Sequence, residues 1–280
     1  MAAPLYVSRN GALISPADAA ISVFNPAIYG AYGVYESMQV RNGIVFEQAA
    51  HLVRLAHSAE IISLPLPAEP AVIGRWIAEV LAANQMVGCA ECTLRLFVVG
   101  PENGGATCAY LWPQPSPIYL PAYYTAGADA ITFPAQRYLP QSKSLNALAS
   151  YMARRAARDQ GVHEGLLYHE GRLTEGSNSN LFAVIDGAVR TPPAHEVLSG
   201  VTRDLVIALA AANGIPLEQA ELPVSGISGW EECFITSTSR HIMPVTRIDG
   251  QPVGDGRVGP LTQRISALFE AYFAALTRGS

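Results

Sequence analysis

The feature that most limits how this 280-residue chain can fold is a proline-rich stretch, PQPSPIYLP, with prolines at 113, 115, 117 and 121. Proline has no backbone N–H and a fixed φ, so such a density of prolines continues neither a helix nor a central strand. The stretch therefore predicts a break between two domains. We expect a small N-terminal domain over residues 1–115, a linker over 116–122 and a larger domain over 123–280, both of ordinary domain size.

Hydrophobic periodicity predicts a mixture of strands and helices on both sides of this break. Strands are predicted at 5–7, 33–40, 44–46, 93–99, 107–112, 130–133, 165–169, 181–185 and 232–236, and helices near 52–62, 71–83, 145–160, 202–213 and 260–276. The pair Asn42-Gly43 is a hairpin-turn signal between two of these strands. Because helices are distributed among strands, the pattern favours an α/β or α+β architecture over a helical bundle.

Composition narrows the kinds of partner and compartment. Half of the residues are apolar, 15% are charged and the net charge is −5, which gives no reason to expect nucleic acid or an anionic membrane as a partner. Polar residues, prolines and glycines interrupt every apolar run well before the roughly twenty residues that cross a bilayer. The first residues also lack the basic region and apolar core of a secretory signal. We expect a cytoplasmic globular protein.

The four cysteines are Cys89, Cys92, Cys108 and Cys233. The C-x-x-C formed by the first two is compatible with a redox pair or with half of a zinc site. No second Cys/His pair stands at ligand spacing, and no thioredoxin-like βαβ pattern surrounds the motif. We therefore expect reduced thiols and no bound metal.

Lys143 is the single lysine of a chain that carries seventeen arginines. A guanidinium stays protonated at any working pH, whereas a lysine amine can lose its proton and attack a carbonyl group. Lys143 lies in QSKSLNALAS, just before a predicted helix, where its side chain can point into a cleft. A solvated lysine at a helix start has the same local pattern, so the surrounding sequence must decide between the two interpretations.

Other segments supply groups that fit pyridoxal phosphate. Glu175 lies in TEGSNSNLF, GVT at 200–202 opens a predicted helix, TSTS at 236–239 offers hydroxyls and amides, and Arg54 is a fixed cation. This cofactor needs an imine-forming lysine, a partner for its ring nitrogen and a phosphate site, which a helix N-terminus can provide. Taken singly, Glu175 also fits a helix-start or turn carboxylate, GVTRD an ordinary N-cap with Thr202 as the capping residue, TSTS an edge strand and Arg54 a surface residue. The hypothesis rests on their order and joint spacing.

In this order the segments resemble the class IV (fold type IV) pyridoxal-phosphate aminotransferases over nearly the whole chain. The most diagnostic run is EGSNSNLF at 175–182, VRT at 189–191 and LSGVTR at 198–203, with GVYE at 33–36, NGxxF at 42–46, HLxRLxxSA at 51–59, KSLN at 143–146 and PVTRIDG at 244–250 as further matches. The resemblance implies a homodimer with the cofactor between a small N-terminal α/β domain and a larger, barrel-like α/β domain.

The resemblance also implies roles for individual residues. Lys143 is expected to bind pyridoxal 5'-phosphate as an internal aldimine and to move the proton between Cα and C4′. Glu175 is expected to pair with the protonated ring nitrogen, and Leu198 to pack against the ring. The remaining cofactor-binding residues implied are Arg54, Ser179, Asn180, Gly200, Val201, Thr202, Ser237 and Thr238. The small-molecule partners implied are an amino donor and a 2-oxo acid acceptor.

The branch of the family is less sharply indicated. KSLN, GVYE and LSGVTRDLVI are most similar to D-amino-acid aminotransferases, with branched-chain aminotransferases next, so we expect a D-amino acid or a hydrophobic amino acid as substrate. The residues expected to bind it are Tyr35, Arg95, Ser239 and Arg240, with Tyr29, Phe97 and Met243 as further apolar candidates. The arginine-bearing T-R-G segment typical of D-specific enzymes reads Val98-Val99-Gly100 here, so Arg95 and Arg240 are both left as candidates for the substrate carboxylate.

Three other functions stay open at this point. They are an aminodeoxychorismate lyase-type elimination, an (R)-amine transaminase and a non-catalytic homologue that binds a phosphate ligand. The lyase branch normally lacks GVYE, and a binding protein needs neither an imine-forming lysine nor a partner for a pyridinium nitrogen. GVYE therefore favours transamination over elimination, and the presence of both Lys143 and Glu175 argues against a non-catalytic binding protein.

Overall fold

The computed structural model describes residues 5–84, 91–101 and 104–278. The chain forms two compact units, the first consisting of Met1–Pro117, Ser142–Asn146 and Ala274–Ser280 and the second of Ile118–Gln141 and Ala147–Phe273. The five residues that include Lys143 thus pack with the first unit, although the residues on either side of them in the chain belong to the second. The sequence pattern did not predict this short return of the chain.

The first unit is a six-stranded sheet covered by two helices. Its elements are β1 (Val7–Arg9), β2 (Ala12–Ile14), β3 (Gly33–Arg41), β4 (Ile44–Val45), β5 (Glu91–Val99), β6 (Cys108–Gln114), α1 (Gln48–Ile61) and α2 (Pro70–Asn84). The strand order is β2-β1-β6-β5-β3-β4, and neighbouring strands run antiparallel. Asn42 and Gly43 both have positive φ and form the turn between β3 and β4 that their sequence predicts.

Alternation along β3 and β5 separates the two faces of this sheet. The buried face packs against α1 and α2 through Val34, Met38, Val40, Leu94, Leu96, Val98, Leu55, Ile73 and Ile77. The intervening residues point to the opposite face, because successive strand residues alternate between the faces of a sheet. Tyr35 and Phe97 are directly opposite each other on that face, as are Ser37 and Arg95. The opposite face of the first sheet is therefore aromatic and carries an arginine.

The segment 142–146 extends this sheet beside the beginning of β3. Ser144 forms an antiparallel bridge with Val34, and the amide of Leu145 donates to the carbonyl of Gly33 at 2.9 Å. A Cβ atom at Gly33 would lie 2.5 Å from the carbonyl oxygen of Val98 and 2.7 Å from Cδ1 of Leu145. Glycine is thus required at this position so that β5 and the lysine-bearing segment can both approach β3.

The second unit is built on a larger sheet that closes on itself. Its elements are α3 (Ala122–Thr125), β7 (Ala128–Pro134), α4 (Leu148–Asp159), β8 (Glu164–His169), β9 (Arg172–Gly176), β10 (Ser179–Ile185), β11 (Ala188–Thr191), α5 (Val201–Ala212), β12 (Leu217–Gln219), β13 (Leu222–Pro223), β14 (Glu232–Ser237), β15 (His241–Ile248), β16 (Gln251–Pro252) and α6 (Pro260–Leu276) as far as residue 273. The path β10-β14-β15-β7-β8-β9 returns to β10 through a β9–β10 pairing. This closed path confirms the barrel-like α/β unit.

The predicted helices and strands are present, with ends shifted by a few residues, and several strands were missed. The strand predicted at 5–7 lies at 7–9, and the helix predicted near 145–160 begins at Leu148. Six strands of the second unit had no prediction, namely β9, β11, β12, β13, β15 and β16. Glu175 lies in β9, so its interpretation as a turn or helix-start carboxylate is wrong.

The findings on metal sites, membrane-spanning helices and thiols apply to the part of the chain that the structure describes. Over residues 5–84, 91–101 and 104–278, no group of three His, Cys, Asp or Glu side chains has the arrangement of a metal site. No helix in those ranges combines the length and apolar character needed to cross a bilayer. Cys92, Cys108 and Cys233 are free thiols, whereas Cys89 of the C-x-x-C motif lies outside the described residues.

A buried charged cluster joins β3 to α1 in the first unit. Glu36 and His51 are fully buried, and Arg54 is 8% exposed. Arg54 donates from Nε to Oε1 of Glu36 at 2.8 Å and from Nη2 to Oε2 at 2.7 Å, while Nδ1 of His51 lies 2.8 Å from the same Oε2. Arg54 is therefore a buried partner of Glu36, and its interpretation as a surface residue is wrong.

Electrostatics fix the charge states in this cluster. Burial alone would raise the pKa of Glu36, but the charge and hydrogen bonds of Arg54, together with His51, outweigh it and hold that pKa far below its usual range. Burial lowers the pKa of His51 against the opposing effect of Glu36. A neutral imidazole that donates from Nδ1 to Glu36 agrees with the lowered pKa of Glu36 and with the lowered pKa of His51. The cluster therefore consists of an ionised carboxylate, a guanidinium and a neutral histidine.

Glu36→Gln tests this assignment through the pH dependence of stability. Removing the charge leaves Arg54 buried without its counter-ion, so we expect the free energy of unfolding at neutral pH to fall by about 3–5 kcal/mol. A carboxyl with a depressed pKa in the folded state stabilises above its unfolded pKa of about 4.3 and loses that contribution as the pH falls. The difference in the free energy of unfolding between wild type and Glu36→Gln, measured by urea unfolding, should therefore become smaller below a pH of about 4.

Glu60→Gln is the matched control for that measurement. Glu60 lies on α1 too, but its side chain is 83% exposed and lies 3.8 Å from Nδ1 of His57, which is itself 54% exposed. An exposed ion pair of this kind contributes little to stability, so Glu60→Gln should follow the wild-type pH profile. A difference in the free energy of unfolding between wild type and Glu36→Gln that stays constant from neutral to acid pH would contradict the ionised state of Glu36.

Candidate active site

The backbone of Lys143 is fixed by contacts on both sides of its peptide unit. Its N–H donates to Oγ of Ser58 at 3.0 Å, and its carbonyl accepts from the amide of Tyr35 at 3.0 Å. The hydroxyl of Ser142 donates to the carbonyl of Ser58 at 3.0 Å. The serine of the HLxRLxxSA motif thus binds two consecutive residues of the segment that carries the lysine.

The side chain of Lys143 lies against the aromatic face of the first sheet. Its Nζ is 4.6 Å from the centroid of the Tyr35 ring, within range of a cation–π interaction. The lysine is half-buried, and its charge contributes to lowering the pKa of His51. The interpretation of Lys143 as a solvated lysine at a helix start is therefore wrong.

Residues that can recognise a substrate share this face with Lys143. Tyr35 packs edge-on against Phe97 with ring centroids 5.8 Å apart, and Phe97 packs in the same way against Trp112 at 5.1 Å. Arg95 stands two residues before Phe97 on β5 and directly opposite Trp112 on β6. A cation thus lies within a wall of three aromatic rings, an arrangement suited to a carboxylate attached to an apolar group.

Glu175 is held at both carboxylate oxygens in the second unit. Nη1 of Arg137 donates to Oε1 at 3.2 Å, and the amide of Leu198 donates to Oε2 at 3.4 Å. The side chain of Glu175 is only 6% exposed. Sequence reasoning missed Arg137, and the available signal was an arginine six residues before the lysine, in QRYLPQSK.

The loop 198–200 and the first turn of α5 form a cradle for an anion. Asn180 donates from Nδ2 to the carbonyl of Leu198 at 2.8 Å, and a Cβ atom at Gly200 would overlap Oδ1 of the same asparagine. Gly200 is the N-cap of α5 and offers no side chain to the amides of the first turn, which include those of Val201 and Thr202. Because uncapped helix amides bind phosphate, this site fits a phosphate group.

The hydroxyl of Thr202 supports the same conclusion. Thr202 is 2% exposed, and within the described part of the chain its Oγ1 has no hydrogen-bond partner. A buried hydroxyl without a partner costs free energy, and a phosphate oxygen at the start of α5 would satisfy it. The residues present therefore fit the phosphate of a cofactor.

The TSTS segment adjoins this cradle through strand pairing. Thr236 lies opposite Asn180 in the β10–β14 ladder, and the chain turns back into β15 immediately after residues 238–240. β14 pairs with a strand on each side, so the interpretation of TSTS as an edge strand is wrong. Ser237 accepts the amide of Arg240 at 3.3 Å, and Ser239 exchanges a hydrogen bond with the hydroxyl of Tyr119 at 3.0 Å.

Two of the predicted site residues are engaged by a buried carboxylate. Glu164 is fully buried and accepts from Nη1 of Arg240 at 2.8 Å and from the hydroxyl of Ser179 at 2.9 Å. The hydroxyl of Ser177 donates to it as well. The charge of Arg240 is thus matched within the second unit, and Met243 packs in the apolar core of the same unit.

The structure therefore groups the predicted residues into two sets. In the first unit, Lys143 shares a sheet face with Tyr35 and Arg95, while Arg54 is bonded to Glu36 on the helix-facing side. In the second unit, hydrogen bonds and strand pairing link Glu175, Leu198, Asn180 and the start of α5, with Ser237 and Thr238 next along β14. Tyr29 is 76% exposed and belongs to neither set.

Known proteins share this fold and these motifs. A family model described as amino-transferase class IV matches residues 33–248. A putative branched-chain-amino-acid aminotransferase of Methanocaldococcus jannaschii is 31% identical, the match covering 95% of this chain and 96% of the relative. A D-alanine aminotransferase of Bacillus licheniformis is 30% identical, with 95% of this chain and 96% of the relative covered.

A solved structure agrees at the level of the fold. The branched-chain aminotransferase of Thermoproteus uzoniensis, solved with norvaline, has a TM-score of 0.87 and 27% identity, with 98% of this chain and 95% of that chain covered. The family model spans well over half of the sequence. Class IV aminotransferases use pyridoxal 5'-phosphate, a cofactor that needs an amine for its aldehyde and a site for its phosphate. The chain therefore belongs to the class IV aminotransferases and is a pyridoxal-phosphate-dependent transaminase.

Proposed function

We propose that this enzyme moves the amino group of an α-amino acid with an apolar side chain to a 2-oxo acid. The observation that carries the proposal is the common sheet face of Lys143, Tyr35, Arg95 and Phe97. This face combines the amine that reacts, a guanidinium for the substrate carboxylate and aromatic rings for the substrate side chain. An amine substrate without a carboxylate would make no use of the guanidinium of Arg95.

Roles follow for the residues that would hold the cofactor. Pyridoxal phosphate supplies an aldehyde that reacts with amines and a ring that accepts electrons. Lys143 would bind the aldehyde carbon covalently through Nζ and later carry the transferred proton on that atom. Glu175 would accept a hydrogen bond from the ring nitrogen, and Leu198 would cover one face of the ring.

Phosphate binding is proposed for a second set of groups. The amides of Val201 and Thr202 and the hydroxyls of Thr202, Ser237 and Thr238 would donate to the phosphate oxygens, as helix N-termini and hydroxyls do. Arg54 would contribute its charge while still bonded to Glu36. Asn180 and Gly200 shape the cradle, and Ser179 supports it through Glu164.

The substrate carboxylate is assigned to Arg95 and Tyr35. Arg240, the other candidate, already pairs with Glu164, and withdrawing it would leave a buried carboxylate unpaired at a large cost. Ser239 lies beside Arg240 and is a secondary candidate for a polar substrate group. The motifs GVYE and KSLN favour a D-amino acid. We also propose a cytoplasmic homodimer, following the family.

Reductive trapping tests the role of Lys143. Borohydride treatment of the enzyme loaded with pyridoxal phosphate should fix one pyridoxyl group on the peptide that contains Lys143, because the chain has no other lysine. The visible absorbance of the bound cofactor should be lost at the same time. Peptide mass spectrometry and absorbance record the two outcomes.

Lys143→Arg is the matched control for trapping. Arginine keeps the positive charge beside Tyr35 but forms no imine, so borohydride should fix no pyridoxyl group on this variant at position 143. A wild-type protein that is colourless after removal of the excess cofactor, or a pyridoxyl group found on the α-amino terminus alone, would contradict the proposed function.

A panel of amino donors tests the substrate class. Mixed with D-alanine, L-leucine, (R)-1-phenylethylamine or aminodeoxychorismate, the loaded enzyme should lose its visible absorbance with the amino acids and keep it with the amine, which has no carboxylate for Arg95. We expect D-alanine to react faster than L-leucine. Reaction with L-leucine alone would contradict the assignment to D-amino acids, and pyruvate release from aminodeoxychorismate would indicate a lyase.

Arg95→Met tests the carboxylate site directly. Hydrogen bonds to charged groups contribute about 1.5–3 kcal/mol, so kcat/KM for the preferred amino acid should fall about 10- to 100-fold. Arg41→Met is the control, because Arg41 lies on the same sheet but is exposed and pairs weakly with Glu91 at 3.5 Å. If Arg240→Met lowers kcat/KM while Arg95→Met does not, the carboxylate assignment is wrong.

A further inference from the structure

We propose that Arg137 is a positioning residue for Glu175, holding its carboxylate in one orientation and keeping it ionised for the cofactor ring nitrogen. The inference rests on the proposed role of Glu175 and extends it to a residue outside the motifs of the sequence analysis. Arg137 lies in the loop after β7, six residues before Lys143. It would touch neither substrate nor cofactor and would act through Glu175.

The geometry is that of a buried ion pair with a defined orientation. Nη1 of Arg137 donates to Oε1 of Glu175 at 3.2 Å, and the two side chains are 9% and 6% exposed. The amide of Leu198 donates to the other oxygen, Oε2. Because each oxygen receives a donor from a different direction, rotation of the carboxylate about its last bond breaks at least one hydrogen bond.

Arg137 also fixes the loop from which it projects. The same Nη1 donates to the carbonyl of Pro140 at 3.0 Å, three residues before Lys143 in the chain. The guanidinium is therefore tied to its own loop at one acceptor and to β9 at the other. A flexible lysine ammonium would provide the charge but not the planar arrangement of donors.

The charges around Glu175 indicate why a direct partner matters. Arg203 of α5 is within electrostatic range of Glu175, but its guanidinium donates to Asp204 at 3.2 Å and to the carbonyl of Pro192 at 2.9 Å. Arg240 is committed to Glu164. Arg137 is thus the arginine bonded to Glu175, and an ionised carboxylate with so little exposure depends on such a partner.

A double-mutant cycle separates this role from a purely structural one. Apoprotein of wild type, Arg137→Met, Glu175→Gln and the double variant would be titrated with pyridoxal phosphate, recording the Kd, the visible spectrum and the melting temperature. Arg137→Met should raise the Kd about 10- to 100-fold and reproduce part of the spectral change caused by Glu175→Gln. In the Glu175→Gln background the same substitution should change the Kd less than about twofold.

Two further variants complete the design. Arg137→Lys keeps the charge but not the planar arrangement of donors, so it should recover only part of the cofactor affinity that Arg137→Met loses. Arg172→Met removes an arginine from β9 itself, but that side chain is 34% exposed and pairs with Glu170 and Glu221. It should bind the cofactor with the wild-type Kd and spectrum.

The outcomes distinguish the inference from the function on which it rests. If Arg137→Met weakens binding equally in both backgrounds, the residue acts through its loop and the inference is overturned. An unchanged Kd and spectrum in Arg137→Met, when Glu175→Gln alters both, overturns it as well. If Glu175→Gln itself changes neither quantity, the proposed role of Glu175 fails first, and the inference fails with it.

Discussion

The pairing of residues 142–146 with the start of β3 is the interaction on which the rest of the proposed chemistry depends. It places Lys143 beside Tyr35 through backbone hydrogen bonds, so the position of the reactive amine is set by main-chain geometry and by one serine of α1. Gly33 makes this approach possible, because any Cβ there would meet β5 on one side and Leu145 on the other. A reactive side chain that must change its bonding partner benefits from a fixed backbone, since only its terminal bonds then remain to move.

Arginine neutralises three buried carboxylates, so these ion pairs of the interior need no lysine. Glu36 pairs with Arg54, Glu164 with Arg240 and Glu175 with Arg137. A guanidinium is always charged and offers a planar set of donors, so it suits a buried pair that must not lose its proton. An amine suits the role proposed for Lys143, in which a proton has to leave and a covalent bond has to form. Arginine thus serves in the buried ion pairs and lysine at the proposed reactive position, whatever the cause of the high arginine content.

Local sequence patterns predicted much of the fold because the decisive signals were local. The Asn42-Gly43 turn and the alternation in β3 and β5 depend on neighbouring residues, and the structure confirms them. The motifs around Lys143, Glu175 and Gly200 likewise indicated the family. Strand β9 was missed because its RLTEG sequence is short and lacks a run of β-branched residues. Its pairing with β8 and β10 stabilises it instead.

The sequence could not show which arginine pairs with which buried carboxylate, for a different reason. Arg137 and Glu175 are 38 residues apart, and Arg240 and Glu164 are 76 apart, so no periodicity relates them. Contacts between distant segments are properties of the packed structure, whereas turns and amphipathic stretches are properties of the segments themselves.

Strand alternation ties the face proposed to recognise the substrate to the core of the first unit. Arg95 and Phe97 face Lys143 only because Leu94, Leu96 and Val98 face the helices. A shift of β5 by one residue would bury the arginine and expose the leucines, which the apolar core opposes. Specificity can therefore change by substitution at alternate positions of β5 and β6 without disturbing the core. Since Arg95 stands between aromatic neighbours on both strands, replacing those rings should alter the preferred substrate side chain while the proposed contact of Arg95 with the substrate carboxylate is kept.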